Sequence, residues 1–193
     1  MKRVQFSFVL LLVLFITSCS NFSSIEKHRI GLPEQGDSVM HIFTNLNEQE
    51  LSFLHLQACP LTRRDMHSQV YTTLKNRMLA TVLDTANTGV GIAAPQVGIS
   101  KQLIAVQRFD KDGNPFEFYV NPTIENYSQD MKWGWEGCLS VPGERDTVLR
   151  ATQVIISYRD PVSWDILRDT VDGFTAVIFQ HETDHLSGKL YID

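Results

Sequence analysis

The sequence predicts one mixed domain in which two antiparallel hairpins lie between two helices, preceded by a removable leader. Three observations predict it. Residues 69–88 and 171–186 repeat apolar side chains every three to four positions, the period of a helix with one buried face. Residues 103–120 and 154–168 are β-rich runs broken by turn formers. The 193 residues, 43% hydrophobic and 20% charged, suffice for one domain with a real core but are short for two. This composition excludes a disordered chain, a collagen-like chain and a disulfide scaffold. With 17 Lys+Arg against 22 Asp+Glu, a net charge of −5 and no basic run beyond residue 3, no nucleic-acid partner is expected.

At the N-terminus Lys2 and Arg3 precede an apolar run, 9–16, that is too short to span a bilayer. A positive segment, a short apolar segment and then small residues describe a secretory signal. Ile16-Thr17-Ser18-Cys19 resembles the bacterial lipobox, in which cleavage precedes a lipid-carrying cysteine. The expectation is a signal peptide over 1–18, a lipid on Cys19, a linker over 19–29 and one domain over 30–193. The protein would then be exported and anchored to the membrane through Cys19, with residence in the cytoplasm as the alternative. Three cysteines cannot close a disulfide framework. Cys59 reads as a small apolar filler, and a Cys59–Cys138 disulfide would consume the thiol whose neighbours suggest chemistry.

Further along, 47–56 reads as an extra helix. In 69–88, Val70, Leu74, Met78, Leu79 and Val82 form one apolar face, and Asn87-Thr88-Gly89 supplies the stop. Strands at 103–107 and 116–120 flank Asp110-Lys111-Asp112-Gly113-Asn114. A second pair, 154–158 and 164–168, flanks Arg159-Asp160-Pro161-Val162-Ser163. In 171–186, Phe174, Ile178, His181 and His185 share one face.

That face decides the reading of His181-Glu182-Thr183-Asp184-His185. Histidines at i and i+4 reach one metal ion from adjacent turns, and Glu182 sits beside them as a base for water. A catalytic metal wants three protein ligands. The residues after His185, Ser187-Gly188-Lys189-Leu190-Tyr191-Ile192, offer no His, Cys or Glu. The third ligand is therefore expected upstream. Cys138 leads, because Glu136-Gly137-Cys138-Leu139-Ser140 reads as a polar, Gly-containing turn; His28, His41, His55 and His67 compete.

Three segments in order, Gly89-Val90-Gly91-Ile92-Ala93-Ala94-Pro95-Gln96, Glu136-Gly137-Cys138-Leu139-Ser140 and Gln180-His181-Glu182-Thr183-Asp184-His185-Leu186, make the chain similar to the peptide deformylases. Weaker similarity covers Gly36-Asp37-Ser38-Val39-Met40, Val120-Asn121-Pro122, Val141-Pro142, Arg145 and Arg150. The resemblance implies an α+β fold with antiparallel sheets packed around the C-terminal helix that carries the two histidines. It implies removal of the formyl group from N-formylmethionyl peptides by a monomer. Cys138, His181 and His185 would hold the metal, Fe²⁺ with Zn²⁺ or Ni²⁺ as alternatives. Glu182 would take a proton from the attacking water and return it to the leaving amine. Gln96 and the Leu139 backbone N–H would donate to the oxyanion. Val90, Gly91, Leu139, Phe174, Val177 and Ile178 would line the substrate pocket. The resemblance departs in the leader and in 39–69, which is longer than the family pattern.

Overall fold

The computed structural model describes residues 21–31 and 38–193. The expected signal peptide, Cys19 and the Gly36-Asp37 part of the N-terminal motif lie outside them.

Helix α1 (Ser24–Ile30) occupies most of the stretch read as a linker. That reading is corrected for a local reason. Ser23 and Glu26 form a capping box, with Glu26 N–H donating to Ser23 Oγ (3.2 Å) and Ser23 N–H to Glu26 Oε2 (2.8 Å). Phe22 and Ile30 then bury their side chains. Helix α2 (Glu48–Leu54) lies within 47–56, capped by the Asn47 side chain. After the short α3 (Arg63–Met66), α4 (Gln69–Leu83) starts at the Ser68 cap. It stops at Leu83 rather than at 88. Asp84 Oδ1 accepts the Ala86 N–H (3.0 Å) and Asn87 Nδ2 donates to the Thr81 carbonyl (3.0 Å), so side chains take over the backbone's helical partners.

Seven strands follow: β1 (Gly91–Ala93), β2 (Leu103–Gln107), β3 (Phe116–Tyr127), β4 (Met131–Cys138), β5 (Val141–Ala151), β6 (Gln153–Arg159) and β7 (Ile166–Asp172). The chain then enters α5 (Gly173–Leu186), which begins two residues later than the periodicity suggests. One antiparallel sheet has the order β1-β2-β3-β6-β7, and β4-β5 form a separate ribbon. The predicted hairpins are the β2-β3 and β6-β7 pairs; β2 has the expected bounds, β3 runs on to Tyr127, β6 gains one residue at each end, and β7 starts two residues later than expected and runs on to Asp172. The ribbon was not anticipated: 136–140 is not a free turn but the end of β4 and a tight Leu139-Ser140 connection, with Cys138 opposite Val141.

Strand β2 explains how the layers stack. Leu103 and Ala105 share a core with Leu74, Met78 and Val82 of α4, while Ile104 and Val106 share another with Ala176, Phe179 and Leu186 of α5. The helices therefore cover opposite faces of the sheet, and a strand buried on both faces reads as an unbroken apolar run. Burying a side chain such as Phe179 contributes about 2–3 kcal/mol. α5 also packs against β5, which places it between the sheet and the ribbon. The architecture is α+β, with antiparallel sheets around the C-terminal helix.

Beside this core the fully buried Arg108 donates to Tyr119 Oη (2.6 Å), Asp169 Oδ2 (2.8 Å) and Asp110 Oδ1 (2.8 Å). The Arg108 guanidinium holds the Asp110 carboxyl at about 2, against the opposing effect of burial. A depressed carboxyl adds stability above its unfolded pKa and loses it as pH falls through the folded one. Asp110→Asn is therefore expected to lower the urea midpoint at pH 7, and its gap to the parent chain should close as pH falls from about 5 toward 2. A gap independent of pH counts against the ion pair.

Candidate active site

The two histidines of α5 face away from the large sheet and toward the ribbon. His181 is 9% exposed and His185 is 1% exposed. The β4 end brings Cys138 against them, with its Sγ 3.3 Å from His185 Nε2. The donor atoms of Cys138, His181 and His185 all lie within 4.8 Å of one another, the one such group of three among the described residues. The competing histidines are elsewhere: His28 and His67 are exposed, His41 pairs with Glu50 (2.6 Å), and His55 Nδ1 meets the Gly188 carbonyl oxygen (3.1 Å). Cys138 is a free thiol, so the Cys59–Cys138 pair does not form.

Three charged residues hold this cluster, and sequence reasoning gave none of them a role. Glu136 Oε2 lies 2.8 Å from His181 Nδ1, which leaves His181 Nε2 for a ligand. Arg150 grips both Glu136 oxygens (2.8 and 3.0 Å) and reaches Asp184 Oδ2 at 2.5 Å. Burial raises the Glu136 carboxyl, but hydrogen bonds from His181 and Arg150 outweigh it and hold the group at about 2. An ionised acceptor of this kind fixes a ligating histidine's tautomer and ring orientation. The signal was present, since Glu136 and Asp184 sit inside the cysteine and histidine motifs.

Gln96 lies on the 3₁₀ turn Ala94–Val97 and is 1% exposed. Its Oε1 accepts the Ala93 N–H (2.8 Å), which turns Nε2 toward Cys138 Sγ and Ser140 Oγ, both at 3.4 Å. The Ser140 N–H also points at Cys138 Sγ (3.4 Å). Glu182 is buried, and its Oε2 has no hydrogen-bond partner. Burial pushes its carboxyl up to about 7, with Glu136 adding to the rise and His181 opposing it. Burial, helped by His181 and Arg150, takes His185 well below the usual imidazole range, and its Nδ1 is likewise unpartnered. A neutral imidazole, a thiol and a second imidazole form a donor set that fits a divalent metal.

Gln96, Cys138, His181 and Glu182 line a cleft of about 680 Å³, and His185 lies buried behind them. Val90, Gly91, Leu139, Val177 and Ile178 line it, and Phe174 stands at its mouth, 54% exposed and 5.2 Å from the Phe109 ring. Gly91 is required by contact: a Cβ there would collide with Glu182 Oε1 and lie 2.8 Å from Ile178 Cγ2. Gly91→Ala is expected to cost about 1–3 kcal/mol of stability, measured by urea unfolding. An unchanged midpoint would show that the cleft floor yields freely.

With this geometry in hand, the model of the polypeptide deformylase family matches residues 43–193. The chain belongs to the polypeptide deformylase family. Peptide deformylase 1 of Bordetella pertussis is 45% identical over 109 residues, 53% of this chain and 61% of that protein. The chain thus spans about three fifths of the length of that relative. The Leptospira biflexa peptide deformylase is 35% identical over 137 residues, 65% of this chain and 75% of that one. A class I type b peptide deformylase from Acinetobacter baumannii, solved with Met-Ala-Ser bound, superposes with a TM-score of 0.71 at 36% identity, covering 81% of this chain and 98% of that one. The Synechococcus elongatus deformylase in complex with actinonin gives a TM-score of 0.67 at 31% identity, covering 81% and 83%.

Proposed function

We propose that the chain is a monomeric metallohydrolase that removes the formyl group from N-formylmethionyl peptides. The observation that carries this reading is Glu182, a buried carboxyl with an unpartnered oxygen, beside a Cys-His-His donor set at the base of the cleft. Cys138, His181 and His185 would hold one divalent ion, with Fe²⁺ our assignment over Zn²⁺ or Ni²⁺, and when bound it would act as the Lewis acid that makes water nucleophilic at neutral pH. Glu182, titrating near neutrality, takes the proton of the attacking water and returns it to the leaving amine. The Gln96 amide and the Leu139 N–H donate to the oxyanion, and preorganised donors of this kind contribute about 3–4 kcal/mol each. The methionine side chain lies against Val90, Val177 and Ile178, with Phe174 at the rim.

Formate release from formyl-Met-Ala-Ser, compared with acetate release from acetyl-Met-Ala-Ser, tests the reading. Release of formate alone is expected. Equal rates on both point to a general amidase, and release of neither to a binding module.

The leader gives the second half of the proposal: Cys19 carries a lipid, the protein is exported and membrane-anchored, and its substrates are formylated N-termini outside the cytoplasm. No helix among the described residues is long and apolar enough to cross a membrane. The mass of the Cys19 peptide tests for the lipid directly. Finding the bulk of the protein unlipidated in the cytosolic fraction overturns this half.

A further inference from the structure

Arg29, Phe43 and Phe53 do not line the cleft, yet they meet behind the turn that carries Gln96. The Phe43 N–H donates to the Gln96 carbonyl oxygen (2.8 Å). The Phe43 ring stands over Gly98, which ends the turn with φ +72°. A Cβ at Gly98 would lie 2.6 Å from Phe43 Cζ and 2.7 Å from Arg29 Nη1. Arg29 of α1 donates to the Gly98 carbonyl oxygen, and its guanidinium lies 4.9 Å from the centre of the Phe43 ring and 5.9 Å from that of Phe53 on α2. The two rings meet edge to face at 5.2 Å. Three residues earlier on α1, Glu26 Oε1 accepts the Ser100 N–H (3.1 Å), so the helix grips the chain on both sides of Ile99. Two residues beyond Phe43, the Asn45 N–H donates to the Ser140 carbonyl oxygen (2.9 Å), next to Leu139. Segment 43–45 thus ties together the two parts of the chain that carry the proposed oxyanion donors.

This brace is built from parts outside the three motifs shared with the family. Arg29 precedes the residues that the family model matches, and Phe43 and Phe53 fall in 39–69, the stretch longer than the family pattern. We infer that Phe43, locked by Arg29 and Phe53, is a positioning residue for Gln96. The inference rests on the reading of Gln96 as an oxyanion donor. Such a donor accelerates the reaction because it is already aimed where charge develops, and a displacement of about 1 Å can cost about 100-fold in rate. The Gln96 side chain has one short hydrogen bond, from the Ala93 N–H to its Oε1 (2.8 Å). Its Nε2 contacts to Cys138 Sγ and Ser140 Oγ are both 3.4 Å, too long to hold it firmly. The aim of Nε2 therefore depends on where the backbone of the turn is held, and Phe43 holds it from the side away from the substrate.

Formate release from formyl-Met-Ala-Ser by metal-loaded protein tests this, with kcat taken per bound ion. Gln96→Ala is expected to lower kcat about 10²–10³-fold, the cost of one lost donor. Phe43→Ala removes the ring and keeps the N–H; it is expected to lower kcat about 10-fold and leave KM within about 2-fold, because no wall of the cleft is touched. In the Gln96→Ala chain the same substitution is expected to change kcat by less than about 2-fold, since the group through which Phe43 acts is gone. An equal loss in both backgrounds would mean that the ring supports the fold and not Gln96, and overturns the inference. A rise in KM at unchanged kcat overturns it too, as does a Phe43→Ala chain as active as the parent while Gln96→Ala is impaired. A Gln96→Ala chain as active as the parent instead overturns the reading of Gln96 itself. If Phe43→Ala does not fold, Arg29→Met goes through the same cycle, with a loss of about 3-fold expected only where Gln96 is present.

Discussion

Glu182→Ala is expected to lower kcat/KM for formate release from formyl-Met-Ala-Ser by about 10²–10⁴-fold, the range that general acid–base catalysis contributes. The effect should fall on kcat more than on KM, because Glu182 acts on the water and the leaving amine rather than on the peptide chain. The fold should survive, and the substitution removes a buried carboxyl whose Oε2 has no hydrogen-bond partner. Metal content should also survive, since the ligand atoms belong to Cys138, His181 and His185. The measurement pairs steady-state formate release on anaerobically purified protein with metal analysis of the same samples. Equal rates in variant and parent would rule out Glu182 as the proton carrier. A lost metal would show that the substitution had disturbed the ligands instead.

Cys138→Ala should lower metal affinity by more than about 100-fold, beyond the 10–100-fold typical of losing a partner behind a ligand. Two histidines then remain of three ligands, and the Gln96 amide and the Ser140 N–H lose the sulfur they face. Dialysed protein is expected to fall from about one ion per chain to well below one, and formate release to fall with it. Chelator treatment of the parent chain should reproduce the loss, with recovery when the ion returns; the variant should not recover. Stability should drop only by what ligand binding had added, which for an ion at 100 times its Kd is about 2.7 kcal/mol. A variant that keeps its ion would mean that the thiol is not a ligand.

Much of the site was legible because its chemistry is local. His181, Glu182 and His185 lie on adjacent turns of one helix, so their common direction follows from the helical period alone. The α4 and α5 helices and the two hairpins of the large sheet were likewise visible, since each buries an apolar face against the core and shows the matching period. The β4-β5 ribbon was not visible for the converse reason. Its inward positions carry Glu136 and Arg150 instead of apolar residues, while its outward positions carry Trp133 and Trp135, which inverts the usual pattern. The linker reading of 19–29 failed because a capping box at Ser23 and Glu26 and two buried side chains, Phe22 and Ile30, are weak signals in so short a segment.

By itself, then, the sequence determined the residue types of the site, the order of the motifs and the face of α5 that carries the histidines. Only the tertiary structure decided which distant groups meet. Cys138 rather than a competing histidine reaches His185 because the ribbon folds over α5. Glu136, Arg150 and Asp184, spread over β4, β5 and α5, close into one network around His181. Gly91 matters because the floor of the cleft passes against Glu182. Helical periodicity acts over a few residues and can be read along the chain, whereas ligand geometry and buried charge depend on contacts between segments far apart in sequence.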